Sequence, residues 1–141
     1  MGGTADDWIA INDLFIRYTT ALDRGDTEAV VDCFTADAVI ESPVIGRFAG
    51  GPAIREFAER NARFQRQHGA QLRHVVSNLR IRVDGDHAQA YCYLLDFLTR
   101  NGKTELLSPG EYDCKLVRCD GRWLMEHRLV VMDRDFKIEG L

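Results

Sequence analysis

At Gly69 the chain changes rhythm, and that change limits its fold more than any other feature. Before it, apolar residues recur at helical spacing; after it they alternate, and the alternation persists over residues 72–83, 88–100, 105–119 and 122–133. The four runs are joined only by short turns, Asp84-Gly85-Asp86, Asn101-Gly102-Lys103 and Asp120-Gly121. Strands joined so tightly pair antiparallel, so they form a long meander that the upstream helices must cover. Residues 6–23 place Trp8, Ile11, Leu14, Phe15, Tyr18 and Leu22 on one stripe, with Gly25 suited to the helix end. Asp26 caps a short second helix over 27–34, and short strands are expected over 38–43 and near Arg47-Phe48. A third helix runs from Gly50-Gly51-Pro52 to His68-Gly69, with Ile54, Phe57, Ala58 and Phe64 on its apolar face. The expectation is one α+β domain over 1–141: a strongly curved, mostly antiparallel sheet wrapped around the helices and a cavity.

Composition removes several function classes. A net charge of −4 and a pI near 5.5 leave no basic footprint for a nucleic-acid partner. No apolar run approaches the ~20 residues that span a bilayer, and Met1 to Asp7 has neither a basic start nor an apolar core. A cytoplasmic protein with no membrane partner is expected. Cys33, Cys92, Cys114 and Cys119 form no Cys-x-x-Cys pair and read as buried small hydrophobes. His68 and His87, beside turns, read as surface residues. Glu126 and His127 are neighbours on a strand and point to opposite faces, so no metal site is expected. No glycine-rich phosphate loop is present, and no cofactor is expected.

His74 and Asn78 stand in an otherwise β-branched run. Alternation puts His74, Val76 and Asn78 on one face and Val75, Ser77, Leu79, Ile81 and Val83 on the other. Both faces carry apolar residues, so the strand is expected to be covered on both sides, with His74 and Asn78 facing a pocket. Asp23 falls in the last turn of the first helix, where the macrodipole disfavours an anion by roughly 0.3–1 kcal/mol. A broken local rule of this kind marks functional positions. The bland alternatives stay open: Asp23 solvated beside Arg17 or Arg24, His74 bonded to backbone in the core, and Tyr18 packed with its hydroxyl at the cavity wall.

The order of elements, together with Arg17-Tyr18-Thr-Thr-Ala-Leu-Asp23-Arg-Gly-Asp26, Phe34-Thr-Ala-Asp37, Gly50-Gly51-Pro52-Ala-Ile54 and Asp120-Gly-Arg-Trp123, resembles the SnoaL-like group of the nuclear transport factor 2-like superfamily. The resemblance implies a cone-shaped α+β barrel over nearly the whole chain. Within that group the chain is most similar to members that use an aspartate–histidine dyad: hexachlorocyclohexane dehydrochlorinase, scytalone dehydratase and bile acid 7α-dehydratase. The resemblance then implies Asp23 and His74 as the dyad, with Tyr18 at a tyrosine position of the bile acid enzyme.

In such a dyad the neutral imidazole removes a proton and the carboxylate fixes its tautomer. Asp23 is the orienter, His74 the base, and the hydroxyl of Tyr18 or Tyr112 polarises a substrate oxygen. The outcome is elimination or double-bond migration, as in a dehydratase or isomerase, on a small hydrophobic, ring-containing molecule. Asn78, Tyr112, His127, Trp8 and Phe57 are the expected substrate-binding residues. A non-catalytic binding or assembly module, like a dioxygenase β subunit, is the alternative, and an epoxide hydrolase built on Asp96 with Arg100 or Arg118 is a weaker one. Folds of this kind commonly pair through the exposed sheet face, so a homodimer is expected.

Overall fold

Thr4 opens the first helix by a capping box, its hydroxyl accepting from the Asp7 N–H while Asp7 Oδ2 accepts the Thr4 N–H at 3.0 Å. This helix, α1 (Ala5–Arg24), buries Ile11, Leu14, Phe15, Tyr18 and Leu22 and ends on Gly25, whose φ of 71° only glycine adopts freely. The computed structural model describes residues 2–141; Met1, where the leader reading starts, lies outside them. Asp26 caps α2 (Thr27–Val31), which is shorter than its sequence pattern suggests because Phe34 already opens β1 (Phe34–Ser42). β2 (Gly46–Ala49) and α3 (Gly51–Gln67) follow. Then come the four long strands β3 (Gln71–Asp84), β4 (His87–Arg100), β5 (Lys103–Cys119) and β6 (Arg122–Met132). Two of their hairpins turn on consecutive positive-φ residues, Asn101-Gly102 and Asp120-Gly121, the type I′ geometry that matches strand twist.

The strands form one curved sheet in the order β2-β1-β6-β5-β4-β3. The pairing is antiparallel except between β1 and β6, which run parallel, so the sheet is mixed and stays open rather than closing as a barrel. Helices α1 and α3 cover its inner face. The core joins the α1 stripe to Ile54 and Phe57 of α3 and to the inward rows of the strands.

Bulges decide those rows. In β3 the pairing slips between Ser77 and Arg80, where Asn78 takes a φ of 57°. Leu72, His74 and Val76 therefore face inward before the bulge, and Leu79, Ile81 and Val83 after it. The expectation that β3 is covered on both sides is overturned: Arg73, Val75, Ser77, Arg80 and Arg82 are exposed. In β6 the extra residue is Glu126, so Trp123 and Met125 face inward first, and then Arg128, Val130 and Met132. Cys33, Cys92 and Cys114 are buried as expected, but Cys119 at the β5 end is exposed. His68 and His87 are exposed.

Candidate active site

Asp23 ends α1 in a place prepared for an anion. Its Oδ2 accepts the backbone N–H of His74 at 2.9 Å and its Oδ1 lies 2.5 Å from His74 Nδ1. Carbonyls of the same last turn are met by glutamines: Gln71 Nε2 donates to Asp23 O, and Gln65 Nε2 to Leu22 O, which also accepts the Gly25 N–H. These bonds offset the macrodipole penalty and tie the helix end to β3. Both side chains of the pair are at least nine-tenths buried.

Behind the other ring nitrogen stands Asp96. Its Oδ1 is 3.6 Å from His74 Nε2 and has no hydrogen-bond partner, although Asp96 is only 6% exposed. A buried acceptor left unpaired costs about 1–3 kcal/mol, so the site holds an acceptor in reserve. Burial pushes the Asp96 carboxyl above its ordinary value, opposed by His74 and reinforced by the Asp23 charge. For His74, burial and Arg128 pull the pKa down, while Asp96, then the Asp23 hydrogen bond and charge, pull it up. The carboxylates prevail and the imidazole stands above its ordinary 6.5.

On the same wall lie Tyr18 of α1 and Tyr112 of β5, their rings 6.4 Å apart and edge to face. Between them sits Arg128, fully buried, its guanidinium carbon 3.8 Å from each ring centroid. Its Nη2 donates to Met125 Sδ at 3.1 Å, while Nε and Nη1 have no partner. No carboxylate forms an ion pair with it among the described residues. Burial holds both phenols above their ordinary range, so both hydroxyls remain protonated donors.

His74, Asp96, Tyr18 and Tyr112 line one cavity of about 50 Å³, with Phe57 and Leu22 completing its apolar side. Asp23 sits behind His74 rather than at the wall. Among the described residues no cluster of His, Cys, Asp and Glu is placed to hold a metal ion.

Of the residues singled out in the sequence, Asp23, His74, Tyr18, Tyr112 and Phe57 come together here, and three do not. Asn78 is exposed, because the bulge it forms turns it outward. His127 is re-phased outward by the Glu126 bulge and bonds Glu41 Oε2 at 2.7 Å. Trp8 is 37% exposed and outside the cavity, because Asp7 takes the inward position and accepts Trp123 Nε1 at 3.1 Å and Arg118 Nη1 at 2.8 Å. That bond also draws Arg118 out of any hydrolase constellation, while Arg100 bonds Glu139 O at the surface. Two residues of the site were not assigned to it, Asp96 being named only in the hydrolase alternative and Arg128 not at all. Asp96 is the one charged member of the inward row Ala88, Ala90, Cys92, Leu94, Asp96, Leu98, a pattern visible in the sequence. Arg128 carried no such signal, since the bulge that turns it inward cannot be read from alternation.

A family model described as the SnoaL-like domain matches residues 4–129. The chain belongs to the SnoaL-like family. Rv3472 of Mycobacterium tuberculosis, a protein of unknown function solved as a variant, is 30% identical to this SnoaL-like chain, with a TM-score of 0.85 over 94% of it and 79% of the relative. A Catenulispora acidiphila protein solved in complex with S-DNPA is 29% identical, with a TM-score of 0.80 over 92% and 96% of the two chains. A Novosphingobium aromaticivorans protein described as nuclear transport factor 2-like with a cystatin-like fold is 21% identical, with a TM-score of 0.81 over 93% and 84%, which shows the fold. No curated protein sequence matches the SnoaL-like chain significantly.

Proposed function

We propose that this SnoaL-like protein is a cofactor-independent lyase or isomerase that acts on a small hydrophobic, ring-containing substrate. The observation that carries the reading is His74 held between two buried carboxylates at the wall of an apolar cavity. With Nδ1–H donated to Asp23, Nε2 faces the cavity as a base. It removes a proton from a carbon made acidic by a neighbouring carbonyl, the Asp96 carboxylate 3.6 Å from Nε2 and Asp23 at Nδ1 stabilise the imidazolium that forms, and the imidazolium gives the proton to a departing hydroxyl. H and OH leave together as water, and His74 is returned to its neutral form. Tyr18 and Tyr112 donate to the substrate carbonyl, and the Arg128 cation between their rings favours the negative charge that develops there. In an isomerase the same proton is returned to another carbon of the substrate.

The experiment is to incubate hydroxylated and enone polycyclic compounds with wild type, His74→Ala and Asp23→Asn, and to follow loss of water or migration of a double bond. Turnover by wild type that both variants lose is expected. A panel bound but unchanged by wild type contradicts the reading. It would favour the second one, a non-catalytic binding or assembly module, for which the cavity's small size speaks. A relative that binds S-DNPA fits either reading.

The proposal extends to assembly and location. On the outer sheet face, Tyr91 and Tyr93 of β4 are exposed between Arg80 and Arg82 of β3 and Glu111 and Asp113 of β5. A twofold axis along β4 sets the basic strand of one copy over the acidic strand of the other, so a homodimer forms. Sedimentation at 16.0 kDa alone would contradict it. No helix among the described residues is long and apolar enough to cross a membrane. Four free cysteines suit a reducing compartment such as the cytoplasm.

A further inference from the structure

The cavity of about 50 Å³ is several-fold smaller than the ~300 Å³ or more of a typical small-molecule pocket, and smaller than the ~150 Å³ that holds a single benzene ring. Part of its wall must therefore move before any such molecule reaches His74. Two of the wall residues, Ile138 and Leu141, come from the segment that leaves the sheet after β6.

That segment is held by few ties. Asp133 N–H donates to Pro109 O at 3.0 Å and marks where the chain leaves the sheet. Beyond it, Phe136, Ile138 and Leu141 pack, half-buried, on a small satellite core that includes Phe64, Leu72 and Leu98. Arg100 Nη1 donates to Glu139 O and Arg60 Nη2 to Leu141 O, each at 3.0 Å. Among the described residues no ion pair joins residues 134–141 to the body. Apart from Val44 and Ile45 in the turn between β1 and β2, the other walls belong to helices and strands, whose ladders open only with much larger parts of the fold. Gly140 is the joint most sensitive to change: its φ is 92°, and a Cβ there would lie 2.6 Å from His68 Nε2.

We propose that residues 134–141 form a displaceable strap over the site, and that Ile138 and Leu141 are its substrate-contacting, size-selecting residues. The strap lifts to admit the substrate and settles again over its far end. The inference rests on the reading of this cavity as the substrate site, but it is tested without turnover.

The test uses 2-naphthol, a bicyclic phenol, with association followed by stopped-flow fluorescence and strap opening by hydrogen exchange of residues 134–141. Gly140→Ala strains the docked strap through its positive φ and the His68 contact while leaving the cavity wall unaltered. It is expected to speed exchange of the strap and naphthol association together, each about tenfold. Leu141→Ala is expected to tighten binding severalfold by enlarging the site. If exchange rises in Gly140→Ala while association stays at the wild-type rate, the strap is not the gate and the proposal is overturned. A chain shortened to Asp133 that folds by circular dichroism yet associates with naphthol no faster than wild type overturns it too; if that chain does not fold, the Gly140→Ala comparison decides. Failure of the lyase reading appears only in turnover assays, so the two failures are distinguishable.

Discussion

One carboxylate holds both the backbone and the ring of His74: Asp23 Oδ2 accepts the His74 N–H at 2.9 Å, and Asp23 Oδ1 lies 2.5 Å from Nδ1. The end of α1 is thereby fixed to the start of β3, and the histidine's tautomer is set by the same contact. Nε2 is left facing the cavity, with Asp96 3.6 Å beyond it.

Asp23→Asn keeps the shape and inverts the chemistry. An amide nitrogen facing Nδ1 forces the proton onto Nε2, so the lone pair points away from the cavity. We expect kcat to fall about 10²–10⁴-fold, the range seen when a base loses its orienting carboxylate. The Asn78→Gly protein, whose bulge is far from the chemistry, serves as the unaffected control.

The raised pKa of His74 gives activity and stability opposite pH trends. Base catalysis needs the neutral ring, so kcat/KM rises with pH through a value above 6.5. The folded state binds the His74 proton more tightly than the unfolded chain does; that stabilisation is complete below 6.5 and drains away as pH rises through the raised folded value. Asp96→Asn removes the carboxylate that raises the ring most, so both limbs should move to lower pH. Profiles of kcat/KM and of thermal unfolding against pH check this, and unmoved limbs would assign the shift elsewhere. Because the groups interact, the apparent values belong to the pair.

Arg128 costs stability where it stands. Two close aromatic faces return about 2 kcal/mol each. Burying the ion costs several kcal/mol, and two of its N–H-bearing atoms have no partner. Arg128→Met should therefore unfold within about 1 kcal/mol of wild type, or above it, while activity drops tenfold or more. A loss of several kcal/mol in urea unfolding would mean that the arginine is structural.

The β3 bulge makes a separate prediction. At a φ of 57° a β-branched side chain is strained, so Asn78→Val should cost about 1–2 kcal/mol, whereas Asn78→Gly should be neutral within a few tenths. Equal stability of the two variants would remove the left-handed residue from the account.

Much of this was legible in the sequence, for reasons that also explain what was not. The α1 stripe, the glycine turns and the period-two runs are local patterns, and they placed the helices and the antiparallel meander. The parallel pairing of β1 with β6 depends on contacts far apart in the chain and left no local trace. Bulges broke the parity argument where it mattered: Asn78 and His127 were assigned to the pocket and lie outside it, while Arg128 was missed. Asp96 is different, since an aspartate between Leu94 and Leu98 in an unbroken apolar row announces itself once the row is written out. The segment after Met132 carries no periodic pattern, so its placement of Ile138 and Leu141 in the cavity wall and of Phe136 on the satellite core could not be read from the sequence.

The central claim is that Asp23 sets His74 up as a base toward the cavity, and nitrogen-15 NMR of the His74 ring across pH tests it most directly. The account predicts a neutral ring protonated at Nδ1 and bare at Nε2, titrating above 6.5 and changing tautomer in Asp23→Asn. A ring protonated at Nε2, or one that titrates at or below 6.5 with no response to Asp23→Asn, would contradict it.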